Sequence, residues 1–264
     1  MTKYYFKNFT LIELIITMGT LAVVLVVSLQ LFISSQKTWN QSVSRVQVFE
    51  NANIALELMS REIQCVYYIE DTTPFWFKST DTSGGKWYSN QSLTFLTYTN
   101  LHDESNTTQI AEAKYQLYYT ENIDVDSAGW LMRSVTSSNS DKFNYPNNIT
   151  VGEAGVENAF TANNDSHELF SKMIPYVTNL KFKCYDADDS VIPSSIDTPN
   201  QLPYLIEIQL SLLEKISWAR WKELGGKPSQ IIKNTGEPAE AKEYRKRHER
   251  TFTKTVYIGK RGQY

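Results

Sequence analysis

Phe9-Thr10-Leu11-Ile12-Glu13-Leu14 opens an apolar run that continues to Phe32 and Ile33, and this stretch decides the fold. One carboxylate, Glu13, lies just inside the start of a membrane-length segment that is otherwise uncharged. A charge costs roughly 2.5–3.5 kcal/mol at mid-bilayer and less near the ends, so Glu13 calls for a reason. Lys3 and Lys7 precede the run with no acid beside them. Their charge keeps the N-terminus inside and places everything after about Ser34 outside the cytoplasm.

Two plainer readings compete. A secretory signal peptide would put its small-residue cleavage site after the apolar core, a role that only Ser34-Ser35-Gln36 could fill. A signal anchor would share Lys3, Lys7 and the roughly 20 apolar residues. Neither gives Glu13 a purpose.

Taken in order, the short basic leader, Phe9, Thr10, Leu11, Glu13 and the apolar helix resemble the processing and methylation signal of the type IV pilin and type II secretion pseudopilin superfamily. The resemblance implies that a prepilin peptidase cuts between Asn8 and Phe9. It also implies that the new Phe9 amine is methylated and that Glu13 acts in assembly. Asn8 stands where that family usually has Gly.

About 230 residues follow the apolar run, enough for one domain with a sizeable core. The chain has 16 Tyr and 6 Trp, a composition that suits a β-rich exported domain better than a helical bundle. Its net charge of −3 is unevenly spread. Residues 215–264 hold 13 Lys/Arg against 5 Asp/Glu, whereas residues 1–214 hold 13 against 24. Such asymmetry suggests a contact surface, although charge runs are commonly solvated faces. Cys65 and Cys184 lie far apart; an oxidising compartment permits a bridge between them, and two buried free thiols fit equally well. The three histidines are scattered, and no spacing suits a metal.

Residues 36–67 contain no Gly or Pro and place Val48, Phe49, Ala52, Ala55, Leu56, Met59, Ile63 and Val66 on one stripe. This predicts an amphipathic continuation of the apolar helix, with Phe49, Leu56, Met59 and Ile63 against the protein's own sheet. Beyond Pro74 the pattern shortens to strands at residues 75–78, 93–98, 115–119, 130–133, 177–185, 204–213 and 251–258. Within 177–185, Leu180, Phe182 and Cys184 share one face and Lys181, Lys183 and Tyr185 the other, as in a half-buried antiparallel strand. Residues 137–167 read as a long polar loop, and 224–250 as an insertion with a basic, helix-like end.

The order Met173-Ile174-Pro175-Tyr176-Val177, Leu180-Lys181-Phe182, Tyr185-Asp186, Leu202-Pro203-Tyr204 and Thr251-Phe252-Thr253 resembles the C-terminal half of J-type minor pseudopilins. The helix segment from Ala55 to Ile63 is similar as well. Minor type IV pilins of the W kind share this outline and remain the alternative.

Other motifs read more simply. Asp186, Asp188 and Asp189 resemble a calcium loop, but Val191 and Asp197 stand where an EF-hand needs Gly and Glu, so a solvated turn is expected. Trp218 and Trp221, beside Lys and Arg, could stack bases; packing under the insertion is the expected role. No Ser-His-Asp, Cys-His or Gly-x-Ser-x-Gly grouping is visible.

The expectation is an α+β, pilin-like fold, a long N-terminal helix packed on antiparallel β-sheet. Leader, transmembrane helix, amphipathic continuation and periplasmic domain occupy residues 1–8, 9–33, 34–67 and 68–264. The expected role is structural rather than enzymatic: a minor pseudopilin at a pseudopilus tip, anchored by a single pass in the inner membrane. Its partners would be minor and major pseudopilins and the prepilin peptidase, with no nucleic acid, metal or cofactor. Lys242, Arg245, Lys246, Arg247 and Arg250 are expected to face an acidic surface, either a sister subunit's or that of this chain's own acidic residues 1–214.

Overall fold

The computed structural model describes residues 10–68, 75–78, 92–99, 109–118, 129–137, 170–192, 202–233 and 236–259. The chain divides into two compact units, Met1–Gln47 and Val48–Tyr264. Helix α1 (Leu11–Gln64) supplies all the described structure of the first. It runs unbroken through Gly19 and Thr20. The Thr17 hydroxyl donates to the Glu13 carbonyl at 2.8 Å and the Thr20 hydroxyl to the Thr17 carbonyl at 3.0 Å, so both donors are satisfied within the helix. Every residue from Leu11 to Ile33 is exposed. Those 23 residues rise about 35 Å, and α1 is long and apolar enough to cross a membrane.

In the second unit, the last turns of α1 bury Ala52, Ala55, Leu56, Met59, Ser60 and Ile63, the i, i+3, i+4, i+7 spacing of one helix face. The predicted stripe therefore holds from Ala52 onward. Phe49 departs from it: it is 55% exposed, with its ring 5.9 Å from that of Phe252.

Two antiparallel sheets meet this face. The first has the order β1-β2-β3-β4-β5, formed by Phe75–Lys78, Ser92–Thr99, Gln109–Tyr118, Trp130–Ser137 and Phe170–Pro175. The second has the order β7-β6-β8-β9, formed by Val191–Ile192, Val177–Tyr185, Leu205–Leu212 and Arg250–Tyr257. Tyr176, at φ 64, lies between β5 and β6 and passes the chain from one sheet to the other. A non-glycine residue is strained there. Its carbonyl accepts from Leu213 N at 3.0 Å, and its ring packs on Trp218 at 5.9 Å.

Both sheets alternate as expected of strands. In β6, Leu180, Phe182 and Cys184 are buried and Lys181 and Lys183 exposed, which agrees with the sequence pattern. Opposite them, Ile206, Ile208 and Leu210 of β8 complete the inner layer, while Lys183 and Glu207, in register on the outer face, pair at 3.1 Å. In the first sheet Leu93, Phe95, Ala113, Tyr115, Leu117 and Leu131 join the core shared with α1. Its other face is buried as well and mixes polar with apolar: Thr94, Lys114 and Ser134 lie in register, with Glu112 and Gln116 beside them on β3 opposite Leu96 and Met132.

The region after β8 is a helical cap. Helix α2 (Lys215–Glu223) brings Trp218 and Trp221 into the core with rings 5.0 Å apart, as expected of them. It ends in a Schellman turn: Gly225, at φ 85, donates to Lys222 O, and Gly226 donates to Trp221 O. A side chain on Gly226 would meet the Trp221 ring at 2.2 Å. Helices α3 (Pro228–Lys233) and α4 (Ala239–His248) follow.

Arg245 of α4 corrects one expectation. Its guanidinium clasps both Glu237 oxygens, at 3.0 and 2.9 Å, and reaches Glu249 at 3.0 Å. Trp221 Nε1 also donates to Glu237 at 2.9 Å, and Thr178 of β6 donates to Glu249. Arg245 is therefore an internal clamp, and its acids belong to the basic segment 215–264 itself. Burial opposes the Glu237 carboxylate, but Arg245 and Trp221 outweigh it and hold its pKa below the ordinary value. Removing one member of such a pair leaves a buried charge. Arg245→Ala is expected to lose about 3–5 kcal/mol of stability in denaturant titration. Arg247→Ala, whose pair with Glu243 is exposed, should stay within ~0.5 kcal/mol. Because the Glu237 pKa is depressed on folding, its contribution is present at neutral pH and fades as pH falls through the folded value. Glu237→Gln should flatten that acid limb.

Candidate functional site at the head of the long helix

Glu13 is the third residue of α1, and Thr10 immediately precedes the helix. Thr10 N and Thr10 Oγ1 each donate to Glu13 Oε2 at 3.0 Å, and Glu13 N donates back to Thr10 Oγ1 at 3.4 Å. This is a reciprocal capping box, in which two orphan amides at a helix start are satisfied. The Thr-x-x-Glu signature was available in the sequence and gives Glu13 a structural role as well. Both bonds from Thr10 fall on Oε2; Oε1 has no partner among the described residues. The carboxylate is thus held in place through Oε2 alone by its own cap. Asn8 and Phe9, the expected processing and methylation positions, lie outside the described residues.

The other end of α1 is tied down more heavily. Glu62 accepts from Tyr115 Oη and from Arg133 Nε at 3.2 Å, and its second oxygen pairs with Arg133 Nη2. Burial and the Glu62 carboxylate push the Tyr115 phenol up. Burial disfavours the charge on Arg133, yet Glu62 still raises its pKa. Thr97 Oγ1 caps the helix by donating to the Glu62 carbonyl at 2.9 Å, and Val66 pairs with Thr97 as an isolated bridge. Glu57 reaches Lys254 of β9, which links α1 to the second sheet.

Cys65 follows directly on α1 and is exposed; Cys184 is buried in β6; both are free thiols. Burial pushes the Cys184 thiol up to about 12, and thiolate is the reactive form. Asp186, Asp188 and Asp189 form the turn after β6, with Asp188 and Asp189 exposed and Asp189 at φ 58, the solvated turn expected of them. Among the described residues, no three His, Cys, Asp or Glu side chains group as a metal site. The structure thus brings Glu13 together with Thr10 and keeps the two cysteines as separate thiols.

The chain has a pilin-like layout: a long N-terminal apolar helix whose C-terminal part packs on antiparallel sheets. No protein-family model, curated protein or solved structure matches it.

Thr10→Val removes both side-chain bonds of the box and should cost the helix start about 0.5–2 kcal/mol. Hydrogen exchange in detergent should show faster amides in the first turn and unchanged protection from residue 20 onward. A thiol reagent at neutral pH should label Cys65 alone in the native chain and both cysteines after denaturation.

Proposed function

We propose that this chain is a minor pseudopilin, a structural subunit that assembles with sister pseudopilins at the tip of a type II secretion pseudopilus. The observation that carries the reading is a carboxylate at the head of an otherwise uncharged apolar helix, with one oxygen unclaimed by its own cap. After cleavage before Phe9, the new amine of a neighbouring subunit is the partner that matches this oxygen. Unpaired, each charge is costly in lipid; paired, both favour the assembled state and fix its register. The exposed side of α1 beyond the membrane supplies lateral contacts to the sisters. The folded domain, outside the inner membrane, supplies shape rather than catalysis. This reading needs no cofactor.

Glu13→Leu should therefore be processed normally and fail to enter the tip complex, read by co-purification of sister subunits from native membranes. Normal incorporation of that variant would sink the pairing model. Intact-mass measurement with and without the cognate peptidase should show Met1–Asn8 removed only when the enzyme is present. Retention of the leader in both samples would make the chain an uncleaved anchor.

A further inference from the structure

Trp39 is 71% exposed on α1, six residues beyond the end of the apolar run. Six residues rise about 9 Å. Helical side chains lean back toward the N-terminus, covering the turn before their own Cα. The indole of Trp39 is thereby drawn back by roughly one turn, ~5 Å, toward Ser35 and Gln36. It ends a few ångströms past Ile33. The headgroup layer on each side of a ~30 Å hydrocarbon core is about 5–7 Å deep. Lys37 is exposed on the opposite side of the same turn, and no acid occurs between Glu13 and Glu50. An amphipathic ring and a cation at this depth match the lipid carbonyl and phosphate layer.

We propose that Trp39 and Lys37 dock into the outer lipid headgroup layer and set the depth at which α1 sits in the bilayer. This rests on reading α1 as a membrane span and goes beyond the assembly role. Its consequence concerns Glu13. From Glu13 to Trp39 the helix rises about 39 Å, close to the ~40–45 Å of a whole bilayer with its headgroups. With Trp39 held outside, Glu13 rests near the inner edge of the hydrocarbon, where an unpaired charge costs less than at mid-bilayer but still favours pairing. The exposed stripe at Val43 and Val46 continues outward from Trp39, but those residues lie about 15–20 Å beyond Ile33 and outside the headgroup layer.

The test uses the full chain in phosphatidylcholine vesicles containing lipid brominated either high on the acyl chain or near its end. The emission of Trp39 is obtained by subtracting the Trp39→Phe variant from the unaltered chain, and vesicle flotation is recorded for both. The expected result is that both proteins float, and that the difference emission is quenched more by the shallow bromine than by the deep one. Trp39 emission insensitive to both bromines while the protein floats would overturn the docking and leave the span intact. Failure to float would overturn the span itself. Equal or stronger quenching by the deep bromine would place Trp39 in the hydrocarbon and overturn the proposed depth.

Discussion

One helix face holds the domain together. Ala52, Ala55, Leu56, Met59 and Ile63 of α1 join the inner layers of both sheets in one core. Burying a large apolar side chain contributes about 1.5–3 kcal/mol, and the two alanines let the helix backbone approach closely. The same face carries a carboxylate. Glu62 is tolerated because Tyr115 and Arg133, on neighbouring strands, supply donors from the first sheet. Glu57 meets Lys254 from the second. The apolar face provides the adhesion, and the ion pairs determine which turn of the helix lies over which strand.

Much of this was legible because it rests on period. The stripe along α1 and the alternation in β6, β8 and β9 appear directly in the residue order. What escaped was local chemistry without a hydrophobic signal. Strand β3 extends from Gln109, but Ala111-Glu112-Ala113-Lys114 has weak β propensity and reads as a helix fragment; its partners on β2 and β4 impose the strand. Strand β7 is two residues long, too short to show alternation. Helix α2 was hidden because nine residues give little periodicity, and its two tryptophans drew attention as side chains only. At the candidate site, Glu13 stood out by its charge, whereas its bond to Thr10 depends on a helix beginning at Leu11. The apolar run alone does not mark that boundary.

The basic end of the chain shows how a charge run is resolved by folding. Arg245 turns inward to two acids, and Arg247 pairs along its own helix. Arg245, Lys246, Arg247 and His248 all occupy the last turn of α4, where positive charge suits the helix dipole. An excess that reads in sequence as a recognition surface is thus partly absorbed by the cap that closes the second sheet.

The ion pair between Glu57 and Lys254 joins residues 197 positions apart. A ribosome adding ~5–20 residues per second leaves roughly 10–40 s between the two. During that interval α1 has been made and β9 has not, so the helix face that becomes the core has no sheet to cover it. A nascent chain in this condition is prone to aggregate in solution. On the proposed reading of α1 as a membrane span, delivery of this first segment to a lipid bilayer at the start of synthesis would separate each copy from the others until its last strand arrives. The apolar half of α1 would then serve biogenesis as a tether that keeps incomplete domains apart.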